Sequence, residues 1–239
     1  MNTSIRELHA GRYILRRFFD EFVQSQISEH SFLKVAVVGG SVDEPELQHL
    51  RSHGREFEVT VFGIESEGIF LDLNRPFADL NFISKFDLVI CSQVLEHIWN
   101  LSEALKTITG LAKEGGFLWI NCPTSNHAHG SPEYFSAGYT SKMLRTHLVQ
   151  TGVEILYDGE VGTERLYKMT HSQLFWPSYL EHQHPFLRGI HRSRSLFPLR
   201  FVRNFLRNLQ ATGWSKKVQR YSIFSTETYV GCRKTISRA

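Results

Sequence analysis

Three histidines follow apolar runs, where a side chain can act rather than only pack. His97 comes after Phe86–Cys91 and the turn Ser92-Gln93-Val94. His127 and His129 lie in the polar, glycine-terminated stretch from Pro123 to Gly130. Imidazole exchanges protons near neutral pH, so each is a candidate general base toward a substrate hydroxyl. A histidine after Leu95-Glu96 can equally anchor a helix start, and loop histidines are commonly solvated. His127 and His129 are two ligands without a clear third, so no metal is expected. Glu133, Tyr134, Phe135 and Tyr139 follow and offer aromatic walls and hydroxyls for a substrate pocket, with Tyr134 and Tyr139 as candidate contacts. Trp176 lies in a second aromatic stretch, His171–His184, whose rings suit stacking on sugars or a small satellite core.

A second group of residues fits ligand binding through the backbone. Gly39-Gly40-Ser41 follows the apolar run Lys34–Val38; a glycine there lets the backbone approach a ligand closely, and a following helix start offers free N–H groups. Glu65 ends the next run, after Phe62-Gly63-Ile64, where a carboxylate can accept both hydroxyls of a ribose. Ser92, Gln93 and Val94 stand just past the end of the run Phe86–Cys91 and should face the same ligand. Asp87, at the start of that run, reads as structural.

Elements that would position these groups alternate along the chain. Residues 4–27 carry apolar residues at mostly helical spacing. Strands are expected over Lys34–Val38, Phe57–Ile64, Ile69–Leu71, Phe86–Cys91 and Phe117–Asn121, then Val153–Tyr157 and Glu227–Arg233. Helices are expected over 44–53, with Pro45 in the first turn, over Leu101–Ala112, stopped by Gly115-Gly116, and over Thr140–Thr151. The strands lack polar alternation, which fits a parallel sheet buried on both faces. The expected fold is α/β, a doubly wound, mostly parallel seven-stranded sheet with an antiparallel C-terminal hairpin and a helical insertion. The whole chain, 1–239, reads as one domain, with an N-terminal helix in 1–30 and a basic insertion over 171–222.

The segments Phe86-Asp87-Leu88-Val89 with Leu95-Glu96-His97, and Leu111-Ala112-Lys113-Glu114-Gly115-Gly116 with its following strand and Pro123, resemble class I S-adenosylmethionine-dependent methyltransferases. The resemblance covers about residues 30–157 and the final strand. It implies S-adenosyl-L-methionine as cofactor, gripped at Gly39, Gly40 and Ser41, by the ribose acid Glu65, and by Ser92, Gln93 and Val94 at the methionine part. Leu71-Asp72-Leu73-Asn74 with Pro76-Phe77 is similar to the family's adenine loop, which makes Asp72 and Leu73 adenine contacts. The chain departs from the family at the glycine loop. Val37, Ser41 and Asp43 stand where an acid and two glycines are usual, so a non-catalytic binding module on the same scaffold is the alternative. A dinucleotide-binding oxidoreductase would use a similar sheet, but its three spaced glycines are absent too.

Bulk properties narrow the field less. The 239 residues are 41% hydrophobic, enough for one well-buried domain, and the net charge is +3. Three distant cysteines, Cys91, Cys122 and Cys232, read as reduced thiols of a cytoplasmic protein. No signal-like opening segment and no membrane span are expected. From Phe186 to Arg220 there are nine Lys or Arg and no Asp or Glu, with apolar and aromatic residues interleaved. Such a stretch suits a core-facing helix with a solvated basic face, a helix on anionic lipid, or a lid for a phosphate group. No nucleic-acid motif is recognisable, so nucleic acid is not an expected partner. The expected reaction is methyl transfer, O-directed, to a sugar or a phosphorylated or lipid-linked glycan. The expected location is cytoplasmic, peripheral to the inner membrane face if 186–220 meets lipid.

Overall fold

The computed structural model describes residues 10–27, 32–64, 68–77, 79–125, 134–162, 164, 167, 219–220 and 225–236. Its first helix, α1, spans Ala10–Gln26 and leads to strand β1, Phe32–Val38. Helix α2 (Pro45–Ser52), strands β2 (Glu56–Gly63), β3 (Ile69–Phe70) and β4 (Phe86–Ser92), and a 3-10 turn at Leu95–His97 follow. Then come α3 (Leu101–Leu111), β5 (Ala112–Pro123), α4 (Ser141–Val149), β6 (Val153–Gly162), β7 (Gln219–Arg220) and β8 (Glu227–Lys234).

The strands form one sheet in the order β3-β2-β1-β4-β5-β8-β6-β7. β1 to β5 are parallel, and β8 runs antiparallel to both β5 and β6. The two-residue β7 extends the expected seven strands by pairing with Val161-Gly162 at the outer edge of β6. The strand order reverses between β1 and β4. Strands in such a sheet splay their connections apart at that point, and ligands bind in the gap.

Alternation along each strand builds two cores. Val35, Val37, Leu88, Ile90, Phe117, Trp119 and Tyr229 face α1 and α2, where Phe18, Phe19, Phe22, Leu47 and Leu50 meet them. Ala36, Val38, Val89, Cys91, Leu118, Ile120 and Cys232 face the other way, onto Leu105 and Ile108 of α3 and Leu144 and Leu148 of α4. The first core is aromatic: Trp119 stacks on Tyr229 at 5.4 Å and meets Phe19 edge-on at 5.3 Å. α1 lies so close that a Cβ on Gly231 would come within 2.7 Å of the Phe22 ring.

Local chemistry sets the boundaries. Thr140 caps α4 by accepting the Met143 N–H, and Asn100 caps α3 by accepting the Glu103 N–H. α3 ends at Leu111, within one residue of expectation, but its stop is not Gly115-Gly116: Ser84 and Lys85 N–H groups take the Gly110 and Leu111 carbonyls (2.8 and 3.0 Å) and Ala112 is already extended. The two glycines lie inside β5, beside a register shift against Phe86–Leu88. Gly115 has φ +73°, and a Cβ on Gly116 would lie 2.9 Å from the Phe86 carbonyl. Asp87 is structural, accepting the Lys34 N–H at 2.8 Å and pairing with Lys113.

Candidate active site

A cleft of about 340 Å³ opens at the carboxyl ends of β1, β2 and β4. Its floor is Val38-Gly39-Gly40 and Gly63-Ile64. Leu71 and Leu73 form one side; Gln93, Val94, His97 and Ile98 form the other. Of the residues expected at the cofactor, Gly39, Gly40, Leu73, Gln93 and Val94 therefore line one space, together with His97.

Gly39 has a positive φ, +73°, and donates its N–H to the Phe62 carbonyl at 2.7 Å. A Cβ at this position would sit 2.5 Å from a Val94 methyl, so the turn after β1 and the turn after β4 are in contact through glycine alone. The loop then enters α2 at Pro45 with no side-chain cap on its first N–H groups.

Other expected contacts lie elsewhere. Ser41 is exposed, and its Oγ accepts the Asp43 N–H (3.2 Å), forming a local turn outside the cleft lining. Asp72 is likewise turned into its own loop. One oxygen accepts the Asn74 N–H at 2.9 Å and the other pairs with Arg75 at 3.1 Å. The loop still serves the cleft through Leu71 and Leu73, whose apolar faces suit a flat base. Asn74 ties it to the start of α3 by accepting the Trp99 and Asn100 N–H groups. Tyr139, expected in the substrate pocket, is 8% exposed within the core under α3 and α4. Its apolar ring is drawn there, and burial pushes its hydroxyl pKa up. Glu65, His127, His129 and Trp176 lie outside the described residues, as does the insertion 171–222 except for β7.

Ser92 faces away from the cleft, into a polar cluster that the sequence does not announce. Its Oγ donates to Glu46 Oε1 at 2.8 Å. Asn121 Nδ2 donates to the same Glu46 oxygen (3.1 Å) and to Ser92 Oγ (2.7 Å). Gln93 Nε2 donates to Asn121 Oδ1 and to Glu227 Oε2, both at 3.0 Å. Asn121 is 0% and Glu227 3% exposed, so these bonds stand in for water at both side chains. They also hold Gln93 at φ +58°, a strained value for a residue with a side chain, at the cleft wall. One signal was available in the sequence: Asn121 interrupts an otherwise apolar strand, and a buried amide must find partners.

Beside His97, which lines the cleft, two turns are tied together. The Glu96 carbonyl accepts the Phe135 and Ser136 N–H groups at 3.0 and 3.1 Å. This brings Tyr134 edge-on to the His97 ring, centroids 6.1 Å apart. Glu96 Oε1 lies 3.9 Å from His97 Nε2. Burial, then the Glu96 charge, pushes the Tyr134 pKa up to about 12, so its phenol keeps its proton and acts as a donor. The three cysteines are buried, and burial pushes each thiol above its ordinary pKa, which removes them as nucleophiles. No helix among the described residues is long and apolar enough to cross a membrane.

A family model described as a methyltransferase domain matches residues 17–216. No protein of curated function matches the sequence. Solved structures with the same fold include the [4+2]-cyclase SpnF. It is 14% identical, with 93% of this chain and 81% of that chain covered and a TM-score of 0.54. A protein from Galdieria sulphuraria assigned as a sarcosine dimethylglycine methyltransferase is 9% identical, with 94% and 85% covered and a TM-score of 0.54. The CurJ carbon methyltransferase is 10% identical, with 94% and 54% covered and a TM-score of 0.50. Identities this low speak for the fold, while the family match spans most of the sequence. Bounded by the turns after β1 and β4, the cleft lies at the carboxyl ends of the strands, where open α/β sheets take their ligands. The chain belongs to the methyltransferase-domain family of class I enzymes, and S-adenosylmethionine is its cofactor.

Proposed function

We propose that this protein methylates a hydroxyl on a sugar, or on a phosphorylated or lipid-linked glycan. The observation that carries the reading is at the side of the cleft, where a histidine able to take a proton lies beside a phenol that keeps its own. The bound cofactor supplies an activated sulfonium methyl. The chain has to hold an acceptor oxygen in line with it and keep water out, and positioning of this kind accounts for most of the rate in such transfers. Gln93, fixed by its two bonds, and the Gly39–Val94 contact give the cleft a rigid wall. His97 accepts the proton of the acceptor hydroxyl, and Tyr134 donates to an acceptor oxygen nearby. A charged glycan is favoured by the composition of 186–220, where nine cationic side chains alternate with apolar ones. Contact of that stretch with anionic lipid belongs to the same proposal.

Methyl-labelled cofactor and a panel of acceptors test it. Label should appear on phosphorylated or lipid-linked sugars. Label confined to an uncharged small molecule, or to nitrogen or carbon, rejects the acceptor assignment. With a working acceptor, His97→Gln should lower kcat by about 10²–10⁴-fold and leave cofactor affinity unchanged. An unchanged kcat would mean that proximity alone suffices. The second reading, a module without transfer activity, draws on Val37, Ser41 and Asp43 in place of the usual acid and glycines. Calorimetry with S-adenosylhomocysteine decides it, since absence of binding at millimolar ligand would leave only the scaffold.

A further inference from the structure

The end of α2 lies one short helix beyond the glycine loop and carries a second cluster of donor atoms. His49 and His53 are one helical turn apart, and Asp20 of α1 packs against them. Among the described residues, Asp20, His49 and His53 bring one ligand atom each within 4.8 Å of one another. Asp20 Oδ1 lies 2.8 Å from His49 Nε2 and 3.7 Å from His53 Nε2. A tetrahedral ion with ligands at about 2.0–2.1 Å needs donor atoms about 3.3 Å apart. The two separations bracket that value, and the two histidine donors, within 4.8 Å of each other, draw together on binding.

The surroundings already set one ring for coordination. His53 Nδ1 lies 3.0 Å from the His49 carbonyl, which takes the Nδ1 proton and leaves the Nε2 lone pair toward Asp20. Gln24 Nε2 donates to Asp20 Oδ1 at 2.9 Å and orients that carboxylate. His49 is buried, so its ring is held in place against Asp20. Arg16 Nε, 3.5 Å from His49 Nδ1, is the one feature set against a cation; coordination through Nε2 moves the ring proton to Nδ1 and turns the guanidinium away. Asp20 and His53 are partly exposed, which leaves a coordination position for water.

We propose that Asp20, His49 and His53 form a three-ligand site for a borderline divalent cation of the Zn²⁺ class. The bound ion fastens α1 to the end of α2. One carboxylate with two imidazoles suits such an ion better than Mg²⁺ or Ca²⁺, which favour all-oxygen sets. The site is separate from the cleft, and its readouts do not involve methyl transfer.

The test is a Co²⁺ titration of the tag-free full-length chain, followed by visible absorption and by thermal unfolding with Zn²⁺. The expected result is saturation at one equivalent, intense bands of four-coordinate Co²⁺, their loss on adding one equivalent of Zn²⁺, and a higher Tm with Zn²⁺. His53→Ala and Asp20→Asn should weaken binding at least about 100-fold, since loss of even an outer partner costs about 10–100-fold. His53→Ala should unfold within a few degrees of the wild-type temperature without metal, because the His53 side chain is 45% exposed, and should lose the Zn²⁺-induced rise. Arg16→Gln should tighten binding. Weak binding without saturation overturns the proposal. So does undiminished binding by His53→Ala, which would place the ion on other histidines.

Discussion

At the carboxyl ends of β1 and β2 the chain supplies glycines and apolar side chains around open space. One strand away, beyond β4 and β5, it bonds the buried Glu46, Ser92, Asn121 and Glu227 to one another and to the half-buried Gln93. The two regions share Gln93, which lines the first and is held by the second. The difference separates two tasks. A cleft that leaves its polar positions to backbone and to a ligand is cheap to fill and easy to block. A cluster whose side chains bond to one another is a fixed wall, and it is costly to interrupt. Binding and stability should therefore respond to different residues.

The largest effect should come from Gly39→Ala. It places a methyl against Val94 and demands φ +73° of a residue with a Cβ. Displacement of the turn by about 1 Å should lower kcat/KM by about 10²-fold or more. Near-normal turnover would show that the cofactor does not approach this turn. Asn121→Ala attacks the other region. It strips a donor from Glu46 and Ser92 and an acceptor from Gln93, and should cost about 3 kcal/mol in urea unfolding. If this variant kept its stability and lost cofactor binding instead, the division of tasks would fail. Glu65→Ala should weaken S-adenosylhomocysteine binding by about 1–3 kcal/mol in calorimetry without changing stability. An unchanged affinity removes Glu65 from the ribose. Glu46→Gln should do least. Oε1 alone receives the Ser92 and Asn121 bonds, while Oε2 is buried without a hydrogen-bond partner. A change within about 1 kcal/mol is expected; a larger loss would show that the carboxylate charge itself holds the wall.

The sheet was legible because its signals are local. The run Phe86–Cys91, apolar but for Asp87, became β4, buried at every position, and Val153–Tyr157 and Glu227–Arg233 are the paired strands β6 and β8. Gly115-Gly116 misled because glycine after a helical pattern usually ends the helix, whereas here it eases a strand irregularity. The cleft was legible where backbone makes it, at Gly39 and Val94. It was not legible where a side chain must choose a direction. Asp72 and Ser41 are satisfied by neighbours two residues away, and Ser92 by Glu46 across the sheet. The Glu46–Asn121–Glu227 cluster joins residues from one helix and two strands that only the crossovers bring together. A lone acid in the first turn of α2 looks, from sequence, like a charge placed for the helix dipole.

The position of β8 has a consequence for how the chain matures. It slots between β5 and β6, and Gly231 receives the Phe22 ring from α1. A chain emerging from a ribosome has made α1 and both flanking strands well before residue 227 appears. Until then the aromatic face of α1 lacks the part of its seat that Tyr229 and Gly231 supply, and two long strand edges stay open to mispairing. A stop codon anywhere between residues 163 and 226 would thus release a polypeptide holding most of the domain's sequence but vulnerable to aggregation.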